Sequence, residues 1–183
     1  MKTFYQQALR ELAVVLENID GNSVLQGLEL IRQARRISLY GVGREGLQIK
    51  GFAMRLYHLG FNVSVVGDMT TPPLGQGDLL IVSAGPGWFS TVDALLITAS
   101  QAGAATLCLT AQPAGACAQK ADRVITLQAQ TMADKQGADR SVLPLGSLYE
   151  GALYLLFESM IALLQQKLAI SSAVMFANHT NLE

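Results

Sequence analysis

The sequence predicts an α/β chain built on a parallel β-sheet, and three observations carry that expectation. Short β-rich apolar runs at residues 37–40, 61–66, 79–83, 105–109 and 124–127 alternate with stretches of helical period. Two of these runs lead straight into glycine-rich turns, Gly41-Val42-Gly43-Arg44-Glu45-Gly46 and Ser83-Ala84-Gly85-Pro86-Gly87. Glycine also stands where helices stop, in Leu59-Gly60 and Ala102-Gly103. A glycine turn between a buried strand and a helix start presents backbone N–H groups and the positive helix end to a ligand. Two such turns in one chain argue for a pocket at the carboxyl ends of the strands.

The elements follow in order. Residues 4–19 carry Leu9, Leu12, Ala13 and Leu16 at helical spacing, and Asp20-Gly21-Asn22 closes the segment. A second helix is expected over 23–35. This prelude, residues 1–35, is too apolar for a free tail and is expected to pack on the domain or on a partner subunit. Further helices are expected at 44–58 and 89–101, and a long apolar one at 146–168 closes the core. Residues 132–140 are polar and read as a surface loop. The chain is therefore read as one domain over 1–183, with an α/β core at 36–168 and a tail at 169–183.

Composition narrows the class. Half of the 183 residues are hydrophobic and 15% are charged, which suits a buried parallel sheet or an oligomer hiding extra surface. A net charge of −1 gives no electrostatic case for nucleic acid or an anionic membrane. Cys108 and Cys117 lack ligand spacing and read as reduced thiols, in keeping with a cytoplasmic protein. The N-terminus shows no signal-peptide core, and the apolar stretch 153–164 is short and broken by Glu158, so no bilayer span is expected.

Read locally, Gly41-x-Gly43-x-x-Gly46 is a dinucleotide fingerprint, with Asp68 standing near the place of a ribose-binding acid. That reading leaves the two preceding helices, the second glycine loop and the long C-terminal helix unexplained. The wider pattern resembles the SIS (sugar isomerase) domain, and within it the 6-phospho-3-hexuloisomerase family. The resemblance rests on the Gly41 loop, on Phe52-Ala-Met-Arg-Leu-Tyr-His-Leu-Gly-Phe-Asn-Val63, on Thr71-Pro72 with Gly77-Asp78-Leu79-Leu80, and on the Gly85 loop. Leu143-Pro-Leu-Gly-Ser-Leu-Tyr-Glu150 and the terminal His179-Thr-Asn-Leu-Glu183 complete it. It implies a three-layer α/β/α sandwich with a five-stranded parallel, flavodoxin-like sheet and an N-terminal helical extension. It also implies a homo-oligomer, usually a tetramer, with active sites between subunits. The implied reaction interconverts 3-hexulose 6-phosphate and fructose 6-phosphate through a cis-enediolate, with no metal or organic cofactor.

Such a reaction needs a base that moves a proton between adjacent carbons and a group that serves the two oxygens. The resemblance assigns the base to Glu150. The same residue completes Ser147-Leu148-Tyr149-Glu150, an S-x-x-E capping box, so a purely structural reading stands beside the catalytic one. His179, taken alone, reads as a solvent-exposed residue of a terminal tail. The resemblance gives it an auxiliary acid/base role in a neighbouring subunit's pocket. His58 is expected to do core or capping work at a helix end, and Arg55 to serve an interface or ion pair. Asp68, Thr70 and Thr71 read as turn residues near the pocket mouth. Arg44, at a helix start, is the better candidate for contact with an oxyanion or hydroxyl.

The chain departs from the family at the phosphate loops. A serine is usual where Glu45 stands, and the usual Gly-Ser-Gly-x-Thr is here Gly85-Pro86-Gly87-Trp88-Phe89. Pro86 removes an N–H donor. The remaining donors are Ser83, Ser90, Thr91 and the N–H groups of Gly85 and Gly87, with Glu45 expected to turn outward and pair with Arg44 or Lys50. Trp88 and Phe89 either stack on a sugar face or pack against a neighbouring subunit. The expected substrate-binding set is Gly41, Gly43, Arg44, Glu45, Ser83, Gly85, Gly87, Ser90, Thr91 and Ser147. The altered loops favour an alternative, a repurposed SIS module that binds a different sugar or metabolite without turnover.

Overall fold

A computed structural model describes residues 1–134 and 141–182. Helices α1 (Lys2–Glu17) and α2 (Gly21–Gln33) precede β1 (Ile37–Gly41), α3 (Gly43–His58), β2 (Val63–Val65) and β3 (Leu79–Ser83). Then come α4 (Ser90–Gln101), β4 (Ala105–Thr110), α5 (Ala116–Lys120), β5 (Arg123–Thr126), α6 (Ser147–Lys167) and α7 (Ser172–Ala177). The sheet has five strands in the order β2-β1-β3-β4-β5. Every pairing is parallel. This is the flavodoxin-like order, not that of the dinucleotide-binding fold, so the reading of the Gly41 loop as a dinucleotide fingerprint falls away. The chain reverses direction across the sheet between β1 and β3, and the two glycine loops leave those two strands.

Strand alternation builds the layers. Ile37, Leu39, Leu79, Ile81, Leu107, Leu109 and Ile125 join one core with α2, α3 and α6. Leu80, Val82 and Cys108 face the other way, onto α4 and α5. Both faces are thus covered, as an all-parallel sheet requires. Helix α6 has the length and composition of a membrane span, but its inner face, including Leu153, Leu156, Phe157, Met160 and Ile161, is buried in the protein. Phe157 stacks on Phe52 of α3 with ring centroids 4.3 Å apart and planes 5° from parallel. Such a pair adds about 0.5–1.5 kcal/mol beyond its area burial.

The helical prelude packs on the domain. Asp20 caps α2 by accepting from the N–H groups of Asn22 (3.0 Å) and Ser23 (3.2 Å). Val15 is buried against the core, with Leu12 and Leu16 packed beside it. Glu11 of α1 accepts from Ser141 Oγ at 2.6 Å and from the Val142 N–H, tying the prelude to the segment that leads into α6. The opposite side of α1 leaves Tyr5, Leu9 and Val14 exposed.

Local differences from the sequence reading have local causes. The strand expected over 61–66 shortens to Val63–Val65. Phe61 instead donates its N–H to Leu56 O at 3.1 Å, finishing the helix end behind Gly60 at φ 93°. Helices α5 and α7 were not expected, being too short for their periodicity to show. Of the loop expected at 132–140, Met132–Asp134 form a turn, with Asp134 Oδ2 accepting from the Thr131 N–H at 2.6 Å. Residues 135–140 lie outside the described residues.

The first glycine turn is closed by contact between its own glycines. A Cβ on Gly46 would meet Gly41 O at 2.5 Å, a backbone atom that cannot step aside. Gly46→Ala is therefore expected to lower stability by roughly 1–3 kcal/mol, the usual cost of overpacking, read from the urea midpoint.

Candidate active site

Three chain segments converge at the β1/β3 switch point. The turn after β1 brings Val42, Gly43, Arg44 and Glu45, the turn after β3 brings Phe89, and the entry to α6 brings Leu145 and Glu150. With Met132 they line a cavity of about 340 Å³. Leu145 (φ 49°) and Gly146 (φ 84°) are consecutive left-handed residues, and this turn swings α6 so that its first turn faces the cavity. A larger cavity of about 620 Å³ lies between α1, α2 and α6. Its one carboxylate among the lining residues, Asp20, is occupied in capping α2.

Glu150 is nearly buried, and its Oε2 accepts from Arg44 Nε at 2.6 Å. The capping-box reading of Ser147 and Glu150 is overturned. The residue before the helix is Gly146, no side chain caps α6, and the Ser147 N–H donates to Pro144 O at 2.9 Å. Freed from the cap, the Glu150 carboxylate lines the cavity. Arg44 is well exposed and keeps N–H donors beyond Nε at the cavity wall.

Glu45 corrects a second expectation. It does not turn outward to Arg44 or Lys50. It turns inward, 6% exposed, and its Oε2 accepts from Ser83 Oγ at 2.6 Å and from the Gly85 N–H at 2.9 Å. Ser83 spends its proton on Glu45, so the Tyr149 hydroxyl, 3.2 Å away, donates to Ser83 Oγ. The chain of hydrogen bonds runs from Tyr149 through Ser83 to Glu45, entirely in the interior. Burial pushes the Glu45 carboxyl above its ordinary 4.5, working against the Ser83 and Gly85 hydrogen bonds that favour the charged form, with the Glu150 charge adding to the rise. The same burial, with Glu45 alongside, pushes the Tyr149 phenol and the Cys108 thiol upward. Gly85 must be glycine, because a Cβ there would lie 2.8 Å from both Glu45 Oε1 and Tyr149 Cε1.

The other expected site residues separate into groups. Gly43, Arg44, Glu45 and Glu150 line the cavity. Gly41 packs against Gly46, and Ser83 is fully buried beneath the pocket floor. The two N–H groups expected to serve a ligand are already used, that of Gly85 on Glu45 and that of Gly87 on Ala84 O at 2.8 Å. Ser90 and Thr91 open α4 on its exposed side, and Ser147 is half-buried beside the cavity. Phe89 lines the pocket while Trp88 is exposed. Sequence reasoning passed over Val42, Met132, Leu145 and Tyr149; the signal for two of them was the run Leu143-Pro144-Leu145-Gly146 and its continuation to Tyr149.

His179 lies elsewhere in the chain. Its ring stacks on that of His58 with centroids 5.2 Å apart, and Asn178 Nδ2 donates to His58 O at 3.0 Å. His58 ends α3, whose start carries Arg44, so about 21 Å of helix separates the two positions. Within one chain His179 does not meet Glu150. His58 is buried, as its core reading anticipated. Arg55 pairs with Glu158 through Nε–Oε1 at 3.3 Å, as its ion-pair reading anticipated. Thr71 Oγ1 donates to Val65 O at 2.7 Å, an ordinary turn role.

This sheet order, with paired glycine loops at the switch point and an acidic residue opening the last long helix, defines an SIS-type domain. Residues 30–153 match the SIS domain family, and the chain belongs to it. Over the full length of both chains it is 34% identical to a protein from Bacillus subtilis (strain 168) named 3-hexulose-6-phosphate isomerase. A Mycobacterium gastri protein of the same name is 35% identical, with 94% of this chain and 86% of that one covered. Among solved structures, one from Methanococcus jannaschii, whose crystal structure is described as inferring a molecular function of 3-hexulose-6-phosphate isomerase, superposes with a TM-score of 0.86. It is 26% identical, with 98% of each chain covered.

The buried Glu45 carboxyl makes stability depend on pH. Its folded-state pKa is raised, so the cost of burying it is absent below about 4.5 and grows as pH rises toward and through the raised value. Glu45→Gln keeps the acceptor for Ser83 and Gly85 without the charge. The variant is expected to melt above the wild type at pH 8, with the gap closing as pH falls to 4. A gap that widens on acidification would show the carboxylate to be stabilising instead.

Proposed function

We propose that this chain is a sugar-phosphate isomerase that interconverts 3-hexulose 6-phosphate and fructose 6-phosphate at the cavity between the two glycine loops and α6. The observation that carries the reading is the Glu150 carboxylate, which lines the cavity free of any capping duty and paired with Arg44 at 2.6 Å. The relatives named 3-hexulose-6-phosphate isomerase, one of them alignable end to end, support it from outside the site.

The chemistry follows from what each group can do. Moving a ketone from C3 to C2 requires taking the proton from C2 and returning one to C3, with both oxygens on one side of a cis-enediolate. A single carboxylate poised over that edge serves both transfers. Arg44 orients Glu150, and its remaining N–H donors serve the region where the enediolate oxygens gather charge. Phe89, Leu145 and Met132 give the cavity an apolar side. We assign His179 as an auxiliary acid/base delivered to a neighbouring subunit's cavity, consistent with its distance from Glu150 in its own chain. The functional unit is then a homo-oligomer.

A second reading has a specific observation behind it. The Gly85 and Gly87 N–H groups are spent and Glu45 occupies the floor, which favours a module that binds a different sugar or metabolite. Turnover decides between them. Glu150→Gln is expected to lower kcat on fructose 6-phosphate by about 10²-fold or more while melting stays cooperative. Mixing Glu150→Gln subunits with His179→Ala subunits should restore part of the activity, since one site in the mixture regains both groups. Substantial turnover by Glu150→Gln alone removes the assignment of the base.

A further inference from the structure

Glu45 has two oxygens in different situations. Oε2 takes both donors, Ser83 Oγ and the Gly85 N–H. Oε1 has no hydrogen-bond partner among the described residues, although the residue is 6% exposed and lines the cavity. A carboxyl whose one oxygen already accepts two hydrogen bonds carries an added proton on the other. Glu45 lines the cavity, and a proton on Oε1 has no acceptor among the described residues.

The surroundings say what would receive it. The cavity opens on the start of α3, a helix of 16 residues whose first N–H groups have no intrahelical acceptor. Arg44 adds a cation at the rim. These are donors for an oxyanion. The charge balance opposes one as long as Glu45 is ionised, because Glu45 and Glu150 together outweigh Arg44. With Glu45 neutral, the lining charges cancel, and Oε1–H adds one more donor to the same lining.

We propose that Glu45 receives the anionic end of the substrate as a neutral carboxylic acid, donating from Oε1, so that binding an oxyanion takes up one proton from solvent. The inference deepens the isomerase reading and rests on this cavity being its substrate site. It makes Glu45 a specificity-determining residue, one that accepts a phosphate monoester through a proton where a fixed hydroxyl would accept it at any pH. Burial, which holds the carboxyl above its ordinary range, supplies the driving force. The charged or titratable groups that face Glu45 are Arg44 on its own helix, Glu150 and Tyr149 from α6, and Cys108 from β4. Tyr149 and Cys108 are pushed upward and stay neutral, which leaves Glu150 as the group whose contribution must be separated.

The test is calorimetric titration of the intact protein with sulfate, a dianion whose own charge does not change between pH 5.5 and 8.5, in two buffers of different ionisation heat. Wild type is expected to weaken with rising pH by up to about tenfold per unit, with up to about one proton taken up per sulfate bound. Glu45→Gln, which accepts at Oε1 and offers N–H donors to the cavity, is expected to lose both the slope and the proton uptake. It should also bind more tightly than wild type at pH 8.5. Glu150→Gln should keep the slope. With fructose 6-phosphate, Glu45→Gln should flatten the pH profile of KM. No proton uptake by wild type, the same slope in Glu45→Gln, or no sulfate binding by either protein overturns the proposal. Failure of the isomerase reading looks different: the sulfate results hold while wild type turns over no ketose phosphate.

Discussion

One carboxyl ties the two glycine loops together. Glu45 leaves the turn after β1 and takes its hydrogen bonds from Ser83 at the end of β3 and Gly85 just beyond it. A charge-capable group in that position is costly to bury unless it is hydrogen-bonded, and here both donors come from the neighbouring strand's exit. The arrangement fixes the distance between the loops. It requires glycine at 85, because any side chain would collide with Glu45 and Tyr149. It also spends on Glu45 the Ser83 hydroxyl and the Gly85 N–H, donors that a bound anion would otherwise use.

The second carboxyl acquires its role by contrast. Glu150 sits in the first turn of α6, where it could have capped the helix. The left-handed pair Leu145 and Gly146 takes the N-cap position instead and leaves Glu150 to Arg44. The two carboxyls thus meet one cavity in opposite environments. One is charge-paired at the rim and the other is desolvated in the floor. Divergent environments of this kind separate the duties of otherwise identical side chains.

Much of this was legible in the chain. Five β-rich runs with helices between them pointed to the parallel sheet, and the two glycine turns pointed to a cavity at the strand ends. Core or capping work for His58 at its helix end, and an interface or ion pair for Arg55, were expected, and His58 is buried and Arg55 pairs with Glu158. What stayed hidden depended on contacts distant in sequence. Nothing local to Glu45 reveals that Ser83, 38 positions on, will turn its hydroxyl toward it. The capping box at Ser147 failed for a related reason, since the αL backbone at Leu145 and Gly146 moves the helix start and is not encoded by the S-x-x-E spacing. The short helices α5 and α7 span five and six residues, too few for a helical period to show. The stacking of His179 on His58 belongs to the same class, as it joins positions 58 and 179 across the fold.

The central claim is that this cavity performs proton transfer at a carbon beside a ketone. The most direct measurement is proton NMR of fructose 6-phosphate incubated with the protein in deuterium oxide. An enediolate intermediate held by Glu150 exchanges its proton with solvent, so the account predicts loss of the C3 proton signal of the sugar, and loss of that exchange in Glu150→Gln. Retention of every C–H signal by wild type, with no 3-hexulose 6-phosphate formed, would contradict it.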